Sequence, residues 1–296
     1  MSHISVCVCT YKRPTMLRQL LKELEGQANG GLFTYSVVVV DNDSGRSAES
    51  VTKEFASKSP VEVKYFVEPR QGIALARNKA IENAHGNFVA LIDDDEFPAD
   101  GWLLTLYQTC NEYQVAGVLG PVKPHFDDRA PRWVRKGGFY DRPVHPTGRV
   151  VEWRGARSGN VLLRKEVFDG IEPFKPEFRS GEDQDFFRRM IQEGHVFIWS
   201  KEAVVYEEVP PSRWNRTLML RRALLRGTAT ALHPSSSGTH VLKSIIAIPI
   251  YGIALPFALL LGQHRFMRLL VKMCDHVGKI MALIGINAIQ DAYVTE

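Results

Sequence analysis

The stretch that decides the fold reads Phe88-Val89-Ala90-Leu91-Ile92-Asp93-Asp94-Asp95. The apolar run predicts a buried strand, and the three aspartates stand directly after it. Ionised carboxylates placed side by side repel one another, so they must face solvent or a cation. Oxygen ligands of this kind suit Mg²⁺ or Mn²⁺, which proteins hold with one or two carboxylates while substrate phosphates complete the shell. The segment therefore predicts a metal site and a diphosphate substrate. The alternative is that the acids only end the strand and cap a helix that begins near Ala99.

The first half of the chain, up to this stretch, alternates between strand and helix. Residues 4–9 and 35–40 are short apolar runs, as expected of parallel strands that are covered on both faces, and a third strand is predicted at residues 61–67. Helices are predicted between them, at residues 48–58, at residues 74–84, and from Pro14 onward. The helix that begins at Pro14 has an apolar stripe formed by Leu17, Leu20, Leu21 and Leu24. The pattern is that of an α/β protein with a mostly parallel central sheet.

Ligands of such open sheets bind at the carboxyl ends of the strands. Asp41 can accept the imide N–H of a uracil ring, Arg77 supplies a fork for phosphate or base oxygens, and Tyr11 offers a ring for stacking. Turn formation is the competing interpretation, because residues 42–45 are also of the types that a loop needs. The candidate nucleotide-binding residues are Thr10, Tyr11, Arg13, Asp41, Arg77, Asp93 and Asp94.

Six segments of the chain form a pattern in order and spacing: Val8-Cys9-Thr10-Tyr11-Lys12-Arg13-Pro14, Val39-Val40-Asp41-Asn42-Asp43-Ser44, Gly72-Ile73-Ala74-Leu75-Ala76-Arg77-Asn78, Leu91-Ile92-Asp93-Asp94-Asp95, Ser158-Gly159-Asn160-Val161-Leu162-Leu163-Arg164 and Gly181-Glu182-Asp183. With these segments the chain resembles, over residues 4–205, the family 2 glycosyltransferases with the GT-A fold. This resemblance implies a nucleotide-sugar donor, a divalent cation (Mg²⁺ or Mn²⁺) at Asp93 and Asp95, and inverting transfer with Asp183 as the base. Within the family the chain is most similar to bacterial enzymes that add sugars to lipid-linked exopolysaccharide or cell-envelope precursors.

The residues around Asp183 support the role of base. Inverting transfer needs a group that takes the proton from the acceptor hydroxyl, and a carboxylate opposite the leaving group can do this. Asp183 lies at the start of a predicted helix over residues 182–193, where the helix dipole favours an ionised carboxylate. Glu182 is an auxiliary candidate. The alternative is that Glu182, Asp183 and Asp185 are only first-turn acids of this helix.

Two features depart from the family pattern. Many relatives have a histidine after the final sheet strand that completes the metal shell, whereas here Glu207 and Glu208 stand at that place. Either a glutamate replaces the histidine or the shell has fewer protein ligands. Arg213 and Trp214 resemble the end of the QxxRW element of processive synthases, but Pro210 occupies the glutamine position, which favours single addition. Arg213, Trp214 and Arg222 are candidate acceptor-binding residues.

Composition and charge narrow the choice of partners. The net charge of +4 over 296 residues does not indicate a nucleic-acid binder. The four cysteines form no metal-ligand pattern, which favours free thiols in a reducing compartment. The start of the chain has no basic segment followed by an apolar one, so no cleaved signal is expected. Residues 124–149 show little periodicity and predict a mobile segment near the acceptor, with a disordered insertion as the alternative.

The last third of the chain changes character. Several arginines between residues 213 and 226 fall on a predicted helix. They could bind the diphosphate of a lipid-linked acceptor or anionic lipid headgroups, and the alternative is that they form a solvated helix face. Ile245 to Gly262 is an uncharged run at the lower edge of what spans a bilayer, and it contains Pro249 and Pro256. It fits a kinked transmembrane helix, a re-entrant segment or a buried core helix. Residues 266–286 have the pattern of an interfacial amphipathic helix.

These observations predict a GT-A domain at residues 1–210, with a donor half at 1–123 and an acceptor half at 124–210. A basic helical linker (211–240) and a membrane-associating helical module (241–296) follow it. The expected activity is metal-dependent inverting transfer of a sugar from a UDP-sugar to a polyprenyl-linked saccharide. The expected location is the cytoplasmic face of a bacterial inner membrane. Membrane lipids are expected as further partners, and nucleic acid is not. Two alternatives stay open: a soluble enzyme of this fold with a protein or small-molecule acceptor, and a non-catalytic nucleotide- or metal-binding module.

Overall fold

The computed structural model describes residues 1–171, 173–178, 181–232 and 239–286. The chain divides into two units. The first comprises Met1–Pro124 and Arg142–Glu208, and the second comprises residues 125–141 together with the described residues from Val209 onward. The predicted boundary at residue 210 lies near this division, whereas the inclusion of residues 125–141 in the second unit was not predicted.

The secondary structure follows the predicted alternation through the first unit. In chain order the elements are β1 (Ser2–Thr10), α1 (Pro14–Glu25), β2 (Phe33–Asp41), α2 (Glu49–Ala56), β3 (Glu62–Val67), α3 (Ile73–Glu82), β4 (Phe88–Asp93), β5 (Glu96–Pro98), α4 (Trp102–Glu112), β6 (Gly117–Leu119), β7 (Val122–His125), α5 (Arg132–Arg135), β8 (Asn160–Arg164), α6 (Glu182–Gln192), β9 (Phe197–Trp199), β10 (Val205–Glu208), α7 (Arg216–Leu232), α8 (Thr239–Leu260) and α9 (Gln263–Leu283).

The central sheet has seven strands in the order β3-β2-β1-β4-β8-β6-β9. Neighbouring strands pair in parallel except at β8, which is antiparallel to both β4 and β6. The chain moves from β1 outward to β3 and then returns to place β4 on the other side of β1. This reversal of strand order opens a crevice at the carboxyl ends of β1 and β4, where ligands of open α/β sheets bind.

Strand β8 brings a second set of residues to the same edge of the sheet. Because it runs antiparallel, its first residue, Asn160, lies beside Ile92 at the end of β4. A separate sheet of three strands, in the order β5-β10-β7, continues from this edge. The final predicted strand, β10, therefore belongs to the small sheet.

Apolar side chains cover both faces of the central sheet. Along β1, Ile4, Val6 and Val8 pack into one core with the predicted leucine stripe of α1, and Cys7 packs into the other core. The four predicted leucines of α1 are all buried, which confirms that stripe. Cys7, Cys9, Cys110 and Cys274 are free thiols. Burial on two faces explains why β1, β2 and β4 lack a polar alternation, whereas β3, at the edge of the sheet, carries the polar residues Glu62 and Lys64.

The segment 124–149 is more ordered than its sequence predicts. It contains the short helix α5, and the side chains of Ala130 and Val134 are buried. The interpretation as a disordered insertion is therefore wrong. Sequence periodicity failed here because the ordered part is only one helical turn long.

Three long helices make up most of the second unit, and α9 packs against both α7 and α8. Within the described residues, one helical stretch, Leu242–Leu260, is long and apolar enough to cross a membrane, judged by length and composition. Its mean hydropathy is 1.8, and only 11% of it is buried. The core-helix alternative for this segment is thus wrong, because most of the helix surface is exposed.

Candidate functional site

The ends of β1 and β4 bring together several of the predicted residues. The Thr10 hydroxyl donates to Oδ2 of Asp94 at 2.7 Å. Nη1 of Arg13 donates to Oδ1 of Asp94 and to Oδ2 of Asp95, at 3.0 Å in each case. Both carboxylate oxygens of Asp94 thus have protein partners, so this side chain is best suited to holding the crevice in shape.

Burial crowds the carboxyl groups at this strand end. Desolvation and the charges of Asp93 and Asp94 raise the pKa of Asp95 to about 6, although Arg13 opposes the shift. Burial and the neighbouring acids also raise the pKa of Glu96 well above its ordinary value. Glu96 was not predicted as a site residue, and the only sequence signal was a fourth acid directly after the aspartate triplet. A bound cation would favour the ionised form of such groups.

Arg77 connects the end of β4 to the start of α6. Its Nη1 donates to Oε1 of Glu182 at 2.7 Å, and its Nη2 donates to Oδ1 of Asp93 at 3.2 Å. The guanidinium group also lies 5.6 Å from the ring centroid of Phe174. The side chains of Arg77 and Glu182 are 9% and 10% exposed, so removal of one partner would leave a buried charge unpaired. Asp93, by contrast, is 40% exposed and remains accessible to a ligand.

Asp183 lies in the first turn of α6, where the sequence predicts it. Its Oδ1 accepts the backbone N–H of Gln184 at 2.8 Å, and it forms no ion pair with another described residue. Asp185 instead binds Arg188 at 2.7 Å and Arg189 at 2.8 Å, one turn further along the helix. Asp185 therefore has the role of a helix-stabilising acid, whereas Asp183 has a carboxylate that can accept a proton.

Asp41 and Tyr11 differ in exposure. Asp41 is fully buried, and its carboxylate accepts the N–H of Asp43 at 3.0 Å, the N–H of Ala48 at 2.7 Å and the hydroxyl of Tyr65 at 3.0 Å. These contacts fill about three of the four acceptor positions of a carboxylate. Tyr11 is 39% exposed, and Nζ of Lys12 lies 5.2 Å from its ring centroid, so stacking of a base on this ring stays a prediction. The contact between Asp41 and a uracil imide stays a prediction, and it requires the remaining acceptor position.

Asn160 fixes the start of β8 against three other segments. Nε1 of Trp102 donates to its Oδ1 at 2.8 Å, and its Nδ2 donates to the carbonyls of Ala203 at 2.8 Å and Pro121 at 3.1 Å. Two residues earlier, the hydroxyl of Ser158 is buried without a hydrogen-bond partner among the described residues. Asn160 therefore holds the segment around residue 159 beside Asp93.

A cleft of about 570 Å³ opens next to Asp93 in the first unit. Its volume lies within the range of small-molecule sites. The side chains that line it are, in chain order, Asp93, Leu119, Pro121, Val122, Arg142, Pro143, His145, Arg154, Arg157, Asn160 and Trp199, with backbone from Gly120 and Gly155. Asp95 lines a different, smaller pocket that also includes Met16 and Glu208.

The predicted acceptor-binding residues Arg213, Trp214 and Arg222 belong to the second unit. Nε1 of Trp214 donates to the carbonyl of Val209 at 3.1 Å, and the Tyr140 hydroxyl donates to the carbonyl of Arg213. Arg222 is exposed on α7. A contact of any of the three with an acceptor stays a prediction.

The residues near Asp93 fit a cation that the substrate helps to hold. Among the described residues, no group of three or more histidine, cysteine or acidic side chains is arranged to bind a metal. Asp93 lines the cleft, whereas Asp95 is paired with Arg13 and lines the smaller pocket, so binding of one Mg²⁺ by both carboxylates together with phosphate oxygens stays a prediction. Glu207, one of the possible replacements for the family histidine, forms an ion pair with Arg142.

Solved structures place the fold in a recognised class. The chain is similar to the mannosyltransferase PcManGT from Pyrobaculum calidifontis, solved in complex with GDP-Man and Mn²⁺, with a TM-score of 0.62 and 18% identity. The match covers 94% of this chain and 86% of that structure. The fold is GT-A, the mixed and mostly parallel α/β fold of enzymes that use nucleotide-diphosphate sugars.

Sequence comparison gives the family. The model for glycosyl transferase family 2 matches residues 5–175. The succinoglycan biosynthesis protein ExoM of Rhizobium meliloti (strain 1021) is 31% identical over 97% of this chain and 95% of its own length. The chain belongs to glycosyl transferase family 2. A shorter match, 32% identical over 38% of this chain and 36% of the relative, is to the GalNAc(5)-diNAcBac-PP-undecaprenol beta-1,3-glucosyltransferase of Campylobacter jejuni.

Proposed function

We propose that this glycosyltransferase is an inverting enzyme that transfers a sugar from a UDP-sugar to a lipid-linked saccharide during exopolysaccharide synthesis. The observation that carries the mechanism is the chain of contacts from Asp93 through Arg77 to Glu182, which ends beside Asp183 at the start of α6. The pathway and the acceptor are supported by the ExoM relative and by the Campylobacter relative, whose name specifies an undecaprenol-linked substrate.

In this proposal each carboxylate has its own task. Asp183 accepts the proton of the acceptor hydroxyl, because it lies near the charge of Arg77 but forms no direct ion pair with a described residue, which leaves its carboxylate available to the acceptor. Asp93, oriented by Arg77, faces the donor diphosphate with Asp95. When Mg²⁺ or Mn²⁺ is bound by these two aspartates, it supplies positive charge that stabilises the leaving diphosphate. Tyr11 stacks on the base of the nucleotide.

Attachment to a membrane is part of the same proposal. The exposed apolar side chains of the second unit concentrate on α8, and they include Ile246, Ile253 and Phe257, which are 53%, 71% and 64% exposed. The opposite side of α8 contacts α9, where Ser244 hydrogen-bonds His276. Because α9 also carries the Asp275–Lys279 pair, we infer that α8 lies in the membrane interface through one face and does not span the bilayer. The free thiols are consistent with the cytoplasmic side.

The decisive experiment is a donor screen with the full chain and Mn²⁺, in which hydrolysis and transfer of UDP- and GDP-sugars are followed with and without membrane extract that contains lipid-linked saccharides. The screen also includes the variant Asp183→Asn and the control Glu193→Gln. The control removes an exposed carboxylate at the C-terminal end of α6, the helix that carries Asp183. We expect Asp183→Asn to lower turnover by roughly a hundredfold, the usual scale for a lost general base, while affinity for the nucleotide stays nearly unchanged.

The outcomes separate the possible roles. Equal losses of turnover and nucleotide affinity in Asp183→Asn would make Asp183 a binding residue. Transfer to a water-soluble sugar or protein with no response to lipid-linked saccharides would favour the soluble-acceptor alternative. Donor binding without hydrolysis or transfer would leave only a binding module.

A further inference from the structure

The cleft beside Asp93 has an excess of positive charge. Arg142, Arg154 and Arg157 line it, whereas Asp93 is the one carboxylate among its lining residues. A concave surface with several like charges focuses the electrostatic field and attracts ligands of opposite charge. The cleft is therefore suited to an anionic group.

Two of the three arginines have no counter-charge in the described parts of the chain. Arg142 is neutralised by Glu207. Arg154 and Arg157 are exposed, and neither forms an ion pair with a described residue. The guanidinium of Arg154 lies 4.6 Å from the ring centroid of Trp153, which restricts its position and leaves its N–H groups available. These two side chains are the available anion ligands of the cleft.

The position of Arg154 next to α6 assigns this anion to the acceptor. Nε2 of Gln184, the residue after Asp183, donates to the backbone carbonyl of Arg154 at 3.3 Å. The turn at Trp153–Gly155 packs against α6. The acceptor hydroxyl must reach Asp183, and the backbone of Arg154 is bound to the residue that follows Asp183, so the acceptor is expected on this side of the cleft. The donor diphosphate is expected on the side of the same cleft that Asp93 lines.

Two aromatic rings, the largely buried Trp199 and the half-buried His145, form part of the cleft lining. The ring centroid of His145 lies 4.9 Å from that of Trp199. Aromatic faces pack against the apolar face of a pyranose, while polar groups around them bind hydroxyls. A cleft that combines aromatic rings with arginines lacking a counter-charge is suited to binding an acidic or phosphorylated saccharide.

We propose that this cleft binds an acceptor saccharide with a negative charge close to the reacting sugar, and that Arg154 and Arg157 bind that charge. The inference rests on the proposed function, because it takes Asp183 as the base. The charged group is an anionic oxygen cluster, which either the diphosphate of the lipid carrier or the carboxylate of an acidic sugar provides. Binding is expected to weaken as salt increases, since exposed charges are screened.

The test is equilibrium binding followed by tryptophan fluorescence, in EDTA so that no metal-bridged diphosphate contributes. The probes are geranyl diphosphate, methyl glucuronide and the uncharged methyl glucoside. The variants are Arg154→Gln, Arg157→Gln and their combination. Arg18→Gln is the matched control, because it removes an exposed charge from α1, outside the cleft.

We expect at least one anionic probe to bind about tenfold more tightly than methyl glucoside, a difference of roughly 1.4 kcal/mol. The double variant should lose this preference, whereas Arg18→Gln should retain it. Preference for geranyl diphosphate identifies the carrier diphosphate as the charged group, and preference for the glucuronide identifies an acidic sugar. The proposal is overturned if neither anion binds at millimolar concentration, if the glucoside binds equally well, or if the double variant binds the anions like the wild type.

Donor hydrolysis without acceptor, measured on the same variants, separates this inference from the proposed function. Arg18→Gln, whose charge lies outside the cleft, is expected to hydrolyse the donor at the wild-type rate. If the chain binds the anions through these arginines but neither hydrolyses nor transfers any donor, the proposed function is refuted. If the chain hydrolyses the donor normally but binds no anion, only the role of the cleft is refuted.

Discussion

Gly159 allows the segment before β8 to approach the carboxylates at the end of β4. A Cβ atom at this position would lie 2.8 Å from Oδ2 of Asp93 and 2.9 Å from Oε1 of Glu96. Both atoms are at the ends of side chains, so Gly159→Ala should fold but displace Asp93. We expect at least about a tenfold loss of affinity for UDP with Mn²⁺, measured by calorimetry. Gly155→Ala is the control, because nothing lies within 4 Å of its added methyl group. Unchanged affinity in Gly159→Ala would contradict the role of Asp93.

The pKa of Asp95 predicts a pH-dependent stability. Its folded-state pKa of about 6 lies above the ordinary value of 3.8, so the metal-free folded chain holds this proton more tightly than the unfolded chain does. The resulting cost of ionisation is on the order of 3 kcal/mol near neutral pH, and it disappears as the pH falls from about 6 to about 4. Asp95→Asn should therefore raise the melting temperature in EDTA near neutral pH, and the gain should shrink in acid.

The control for this measurement is Asp100→Asn, an exposed aspartate close in sequence. Its melting temperature should follow that of the wild type at every pH. Destabilisation by Asp95→Asn near neutral pH would mean that the ion pair with Arg13 outweighs the burial of the charge.

Arg77 shows how far the sequence determines individual contacts. Its type and its position after the third strand predict an anion ligand at the crevice, and the side chain does lie there. Its partners within the chain, however, include Glu182, which is 105 residues away. That contact depends on how α6 docks against the sheet, and residue spacing does not determine docking. For the same reason the full burial of Asp41 could not be predicted.

At the scale of elements, glycines set the distance between α7 and α9. A Cβ atom on Gly278 would lie 2.2 Å from the backbone carbonyl oxygen of Leu224, and one on Gly227 would lie 2.0 Å from that of Asp275. Backbone cannot move aside as a side chain can, so Gly278→Ala should push the helices apart and cost about 1–3 kcal/mol. The measurement is thermal unfolding of the full chain, followed by helical circular dichroism.

The control for this change has the opposite expected sign. Gly252 lies within α8, and nothing is within 4 Å of an added methyl group. Gly252→Ala should therefore stabilise the helix by roughly 0.5–1 kcal/mol, because alanine has the higher helix propensity. If Gly278→Ala were equally stabilising, the close contact between α7 and α9 would not exist in solution.

Elements with long apolar runs were predictable, and short ones were not. The strands β1, β2 and β4 follow from apolar runs with no polar alternation, and the helix after β1 follows from its apolar stripe and Pro14. Strands β5, β6 and β9 have only three residues each, which is too short for periodicity to mark them. The antiparallel direction of β8 also could not be predicted from the sequence, because it depends on the path of residues 126–159 between two sheets.

At the scale of the whole molecule, the apolar face of α8 is expected to determine where the enzyme acts. Truncation of the chain near Arg226 would be a poor test of this expectation, because it would cut α7 and remove α9, against which α7 packs. Substitution of exposed side chains leaves that packing intact. The triple variant Ile246→Asn, Ile253→Asn, Phe257→Asn changes one side of α8, since these positions are seven and four residues apart.

The matched control makes the same kind of change on the first unit. Leu32, Val150 and Val196 are exposed apolar residues there, at 47%, 61% and 47%, and each can be replaced by asparagine. We expect the full-length wild type and this control to float with vesicles of zwitterionic and anionic phospholipid. The α8 variant should partition at least about tenfold less, because each buried aliphatic or aromatic side chain contributes roughly 1.5–3 kcal/mol. Its donor hydrolysis should be unchanged, since the donor residues lie in the first unit. A wild type that stays wholly in solution, or an α8 variant that floats like the control, would show that this helix face does not bind the membrane.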